Sequence, residues 1–158
     1  MRLYTEQECE AWLQGRERKK PDEAPEIPTE QISYPPTPHR IHYFARWIAS
    51  TLTYRTDTLL WVTEWGIWEG SENWHMYYKL RQSYGDFRLL HEAPGHLFLP
   101  YETEDLTSFL QLAMLNGWGG YVLTGADYVN VFFSHDEYLR FFAAEKSNLV
   151  EVRKELGA

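Results

Sequence analysis

Apolar residues along this chain recur with two periods, three to four and two, and the switches between them divide it into helices, strands and one aperiodic arm. Thr5-Glu6-Gln7-Glu8 has the form of a capping box, so a short helix is predicted through Trp12 and Leu13 to Gly15. The periodicity then vanishes. Pro21, Pro25, Pro28, Pro35, Pro36 and Pro38 exclude both helix and central strand, leaving an extended arm that Ile27, Ile32 and Tyr34 can pin to a domain surface. Thr37-Pro38 reads as an N-cap followed by proline at the first helical position, and Ile41, Phe44, Ile48 and Leu52 give that helix an apolar face. Residues 59–65 are short, branched and aromatic, as a covered strand would be, with Trp61 and Trp65 on one face and Leu60 and Val62 on the other. Ser71 is placed to cap a helix through Tyr84 that Gly85 stops.

In the second half, residues 87–91 and 96–99 flank Glu92-Ala93-Pro94-Gly95, where Pro-Gly favours a type II turn; a β-hairpin is predicted. Residues 103–116 carry the most regular helical pattern, through Leu106, Phe109, Leu110, Ala113 and Met114, closed by Asn116-Gly117. Residues 121–124 and 128–133 form a second predicted hairpin around Gly125-Ala126-Asp127. Ser134-His135-Asp136-Glu137 reads as another capping box opening a helix through Phe142, and Leu149, Val152 and Leu156 mark a last, loosely docked helix. The expected fold class is α+β: a mainly antiparallel sheet of about five strands, two hairpins plus one strand, packed with four to five helices. The organisation read from this pattern is an N-terminal helix over 1–20, a proline-rich arm over 21–38 and a single α+β domain over 39–158.

Composition changes this picture in two places. Aromatic residues make up 16% of the 158 residues, with seven tryptophans, which suits either a heavy core or a recognition surface. The formal charge of −8 is unevenly spread: no Lys or Arg falls between Arg88 and Arg140, whereas Glu92, Glu102, Glu104, Asp105, Asp127, Asp136 and Glu137 do. Nucleic-acid binding is disfavoured, because that affinity comes from clustered cations. Helix dipoles would account for Glu102, Glu104 and Asp105, and for Asp136 and Glu137, at two helix starts. They do not account for the missing cations, and the one-sign stretch suits a basic partner. Cys9 is the single cysteine, so no internal disulfide can form. With no apolar leader and no apolar run long enough to span a bilayer, a cytoplasmic protein without membrane contact is expected.

No stretch carries an unambiguous catalytic motif. His91 and His96 sit five apart with Pro-Gly between them, which forbids the helix of a zinc-protease motif. Across a hairpin they would face one another, so they are the candidate ligand pair, with Glu92 as third ligand, although the pattern assigns no metal centre and no cofactor. Ser134-His135-Asp136 lacks a nucleophile elbow. Gly117-Trp118-Gly119-Gly120 has no following Lys-Ser or Lys-Thr and leads into a strand, so it is not a phosphate loop.

The binding candidates concentrate between 61 and 81. Trp65, Trp68, Glu69, Glu72, Trp74, Tyr78 and Arg81 interleave rings with charge, and Trp68 lies between two glycines where burial is not assured, whereas Trp61 reads as core. The leading expectation is a non-catalytic protein-binding module, of adaptor or immunity-inhibitor type, presenting acidic groups and aromatic anchors to a basic partner. Two alternatives remain open at this level: a small-molecule or carbohydrate-binding protein or small enzyme with a Trp-lined pocket, and a structural homodimer subunit.

Overall fold

The structure, a computed structural model, describes residues 1–23, 27–52, 56–66, 74–125 and 129–157. In chain order the elements are β1 (Arg2–Tyr4), α1 (Glu6–Gln14), β2 (Thr29–Ser33), α2 (Pro38–Leu52), β3 (Thr58–Glu64) and α3 (Trp74–Ser83). They continue with β4 (Gly95–Phe98), α4 (Thr103–Leu115), β5 (Gly119–Thr124), β6 (Val129–Ser134), β7 (Tyr138–Ala143) and α5 (Ser147–Leu156). All seven strands join one antiparallel sheet in the order β1-β4-β3-β5-β6-β7-β2. The α+β class is as expected, with seven strands in place of about five.

Period-two alternation sends successive side chains of each strand to opposite faces, and both faces of the central strands are covered. On one face Leu60, Val62, Phe98, Val122, Phe133 and Phe141 pack under α2, α4 and α5, which contribute Ile48, Phe109 and Val152 among others. On the other, Leu59, Trp61, Leu97, Tyr121 and Leu123 lie under Cys9, Trp12 and Leu13 of α1. Trp61 is therefore core, as expected, but in the smaller of two cores. The α1 capping box forms as predicted: the Glu8 amide donates to Thr5 Oγ1 at 3.3 Å and the Thr5 amide to Glu8 Oε2 at 2.7 Å.

Beyond α1 the segment after it continues over this face, with Lys20 Nζ 4.3 Å from the Trp61 ring and Pro21 buried. Tyr121 and Phe132 lie 5.2 Å apart by ring centroid, Phe132 and Tyr138 6.1 Å, and the Arg140 guanidinium sits 5.4 Å from the Tyr138 ring while donating to Gln31.

Three expectations are overturned. The hairpin about Pro94-Gly95 is absent: residues 90–92 form a 3₁₀ turn, and β4 pairs instead with β1 and β3. The Pro94 carbonyl accepts from the Val62 amide, so the chain enters the sheet at Gly95 with no partner strand before it. Ser134-His135-Asp136-Glu137 opens no helix either. It is a three-residue hairpin turn between Ser134 and Tyr138, in which Ser134 Oγ accepts from the Asp136 amide and Glu137 takes the left-handed conformation at φ 61°. The proline-rich segment is extended over Thr29–Ser33 and pinned by Ile32 and Tyr34, as expected, and it contributes β2 at one edge of the sheet while residues 2–4 form the other. Pro28 and Pro35 flank β2 without interrupting it, and an edge strand is where neighbouring proline is tolerated. Third, the last helix is firmly and not loosely docked, since Leu149, Val152 and Leu156 are all buried.

Candidate functional site

At the foot of the larger core lies a polar cluster built from α3 and β4. Tyr77 and Arg81, one helical turn apart, both point inward and are fully buried. His96 on β4 meets them. Its Nδ1 donates to the Leu60 carbonyl at 3.3 Å, which leaves Nε2 to accept from the Tyr77 hydroxyl at 3.0 Å. Burial, helped by the nearby Arg81 cation, holds the His96 pKa down at about 3, so the ring stays neutral.

Among the described residues Arg81 itself reaches only Asp86, Nη2 to Oδ1 at 3.4 Å, while its Nε and Nη1 have no acceptor. Asp86 is committed elsewhere. It accepts from the Arg88 amide at 2.9 Å, from Nε at 2.8 Å and from Nη2 at 2.5 Å; burial opposes ionisation, yet these bonds hold its carboxyl below the ordinary range. Trp118 and Trp65 close the cluster edge-on, 4.7 Å and 6.1 Å from the Tyr77 ring, and Trp118 Nε1 is buried without an acceptor.

A second cluster sits on the same end of the sheet but faces solvent. A register shift between Val62 and Glu64 brings Glu64 opposite Gly119, and its Oε2 meets His135 Nδ1 at 2.5 Å. That hydrogen bond raises the His135 pKa above 6.5, with Asp136 adding to the effect. The acids at 136 and 137 occupy this turn, so no helix dipole explains them.

The third feature is a surface. Tyr84 at the end of α3 donates its hydroxyl to Asp105 in the first turn of α4, the Met1 ammonium pairs with Glu102, and Arg88 Nη2 donates to the Leu3 carbonyl at 3.0 Å. These contacts draw the segments around 84–89, 101–105 and 1–3 together. In these joined segments Phe87 is 76% exposed, Tyr101 80% and Leu89 50%, and Glu92, Glu104 and Asp105 lie in the same or adjoining turns.

Of the residues singled out in the sequence, Trp68, Glu69 and Glu72, and the side chain of Trp74, lie outside the described residues. Trp65 is half-buried against the larger core, on the opposite face from Trp61, because the bulge after Val62 reverses the alternation. Tyr78 accepts the Leu90 amide at 3.2 Å and so has a bracing role. Arg81 is a core cation and not the rim of a pocket. His91 and His96 are not a ligand pair: His91 is exposed on the 3₁₀ turn, whereas His96 is buried in β4. Among the described residues no group of three His, Cys, Asp or Glu side chains is placed to hold a metal ion, and no helix is long and apolar enough to cross a membrane.

Phe87, Leu89 and Tyr101 were missed as surface residues. The alternation of Phe87 and Leu89 reads as a strand with one covered face, and nothing in it marks both side chains as exposed. No protein-family model, curated protein or solved structure matches this chain.

Proposed function

We propose that this protein is a non-catalytic binding module that engages a basic protein partner through aromatic anchors set among carboxylates. The observation that carries this reading is the exposure of Phe87 and Tyr101, 76% and 80%, in segments that hydrogen bonds and an ion pair draw together and that also carry Glu104 and Asp105. Large rings held in water beside hydrogen-bonding and charged groups are the usual anchors of protein interfaces. Charge supports the same partner class. The acids Glu104 and Asp105 suit the start of α4, but Glu92, Asp136 and Glu137 sit in turns where no long helix dipole favours them. Together with the absence of cations from 89 to 139, they set up a negative field that would steer a basic surface inward.

The test is a photo-crosslinking amino acid placed at 87 and, as control, at the equally exposed position 150. A basic protein trapped at 87 but not at 150, with affinity for the purified protein that falls about tenfold or more on Asp105→Lys and with rising salt, supports the reading. Equal trapping at both positions, or binding indifferent to Asp105→Lys, refutes it. Light scattering that finds a dimer dispersed by Phe87→Ala would put a second copy in the partner's place.

A further inference from the structure

The cluster around Arg81 is short of acceptors. Arg81 is fully buried with two of its three nitrogens unbonded, and Trp118 Nε1, beside the same Tyr77 ring, is buried and unbonded too. Every open position in the cluster is thus an N–H donor. Its charge is also out of balance. Two guanidinium groups, Arg81 and Arg88, share the single carboxylate Asp86, and the three contacts of 2.5–2.9 Å all belong to Arg88. Among the described residues the ring neighbours are Tyr77, His96 and Phe109, packed at 5.0–5.6 Å, and none supplies a negative charge. A buried guanidinium is normally both paired and hydrogen-bonded, because leaving it otherwise in a low-dielectric setting is costly. Unfilled N–H donors around an unbalanced cation admit one kind of complement: a small, acceptor-rich group carrying negative charge.

We propose that Arg81 anchors a buried site for a small oxyanion, a carboxylate or phosphate, at the junction of α3 and β4 beside Tyr77 and Trp118. The guanidinium supplies the charge and one free donor on each of its two forks. Burial keeps Tyr77 and His96 neutral, and the hydrogen bond between them holds them facing one another, so neither competes for Arg81. The proposal does not rest on the protein-binding reading, although Asp86 and Arg88, which flank Phe87, join the two regions.

The experiment uses the full chain, followed by thermal unfolding and tryptophan fluorescence while sodium phosphate or sodium acetate is titrated against sodium chloride of equal ionic strength. A saturable rise in midpoint with one of the two oxyanions, absent with chloride, is expected, and the more effective salt separates phosphate from carboxylate. Arg81→Met should fold, since an apolar side chain of similar length relieves an unpaired buried charge, and should lose the response. Arg81→Lys keeps the charge but not the fork, and should weaken binding at least tenfold. The proposal fails if neither salt gives a saturable effect, or if Arg81→Met responds as the parent does. Should neither variant fold, a crystal structure of the parent grown in the effective salt decides: an oxyanion on Nε or Nη1 supports the site, water alone on both overturns it.

Discussion

Cys9 Sγ lies so close over Gly95 that a Cβ on residue 95 would meet it at 2.2 Å. Tyr4 Cβ and Leu59 Cδ1 stand at 3.0 and 3.4 Å from the same point, so α1, β1 and β3 all close on this one backbone position. The glycine that resembles half of a Pro-Gly turn is there to let a helix settle on a strand. Gly95→Ala is expected to cost about 3 kcal/mol in denaturant unfolding, the upper range for overpacking. Adding Cys9→Ala should recover about 1 kcal/mol or more of that loss through removal of the nearest atom, and strictly additive costs would show that the contact is not the cause.

Acid should weaken the fold through His96. Its folded pKa is held down at about 3, against 6.5 for an ordinary histidine, so between those values the unfolded chain binds the extra proton. Stability from this group is complete above pH 6.5 and falls as pH drops toward 3, at roughly 1 kcal/mol per pH unit. Unfolding measured from pH 7 to 4 in the parent and in His96→Gln should show a shallower acid slope in the variant. Equal slopes would assign the acid sensitivity to other groups.

His135 titrates in the opposite sense. Its hydrogen bond to Glu64 raises the folded pKa, so the contact contributes below the ordinary histidine value and is lost as pH rises through the folded one. A histidine-resolved NMR titration should find His135 above 6.5 in the parent and lower in Glu64→Gln, where the charge is gone but the shape remains. No change on that substitution would dissociate the two side chains.

The two most exposed rings should be dispensable for folding. Phe87→Ala and Tyr101→Ala are expected to alter unfolding free energy by no more than about 0.5 kcal/mol, while Phe109→Ala, at the centre of the larger core, should cost about 3–5 kcal/mol. A cost near that of Phe109 at either surface position would mean that its ring is packed, and would remove it as an anchor.

What could be read from the chain depended on the length of each pattern. The helices over 6–14, 38–52 and 103–115 announce themselves by caps and by several turns of regular spacing, and the strand over 58–64 by a run of branched and aromatic residues. Three residues at Arg2–Tyr4 are too few to show any period, and the five at Thr29–Ser33 are hidden by the prolines around them. At 134–137 the local signature was ambiguous in a physical sense: serine and glutamate three apart can cap a helix, and the same serine can close a tight hairpin. The alternation of Leu139, Phe141 and Ala143 against Tyr138, Arg140 and Phe142 decided for the strand.

The candidate site was legible in part for a similar reason. Arg81 and His96 stood out by residue type, but burial, which makes both unusual, is a property of tertiary packing. Glycines 119 and 120 show the same limit. A Cβ at 119 would strike Glu64 and one at 120 the Trp61 carbonyl, and neither approach exists until β3 and β5 pair.

The sheet also carries a history of its own assembly. Its middle, β5 through β7, joins neighbours in sequence and can close locally, whereas β1 and β2 belong to the first 33 residues and pair with β4 and β7 about 90 and 110 residues further on. During synthesis the earliest strands to be made must therefore wait for partners that do not yet exist, and until those pairs form β4 and β7 are bare edges. The proline-rich segment then acts as a clasp: it covers β7 and becomes the edge itself, with prolines on either side of β2 that discourage a second chain from adding its own strand.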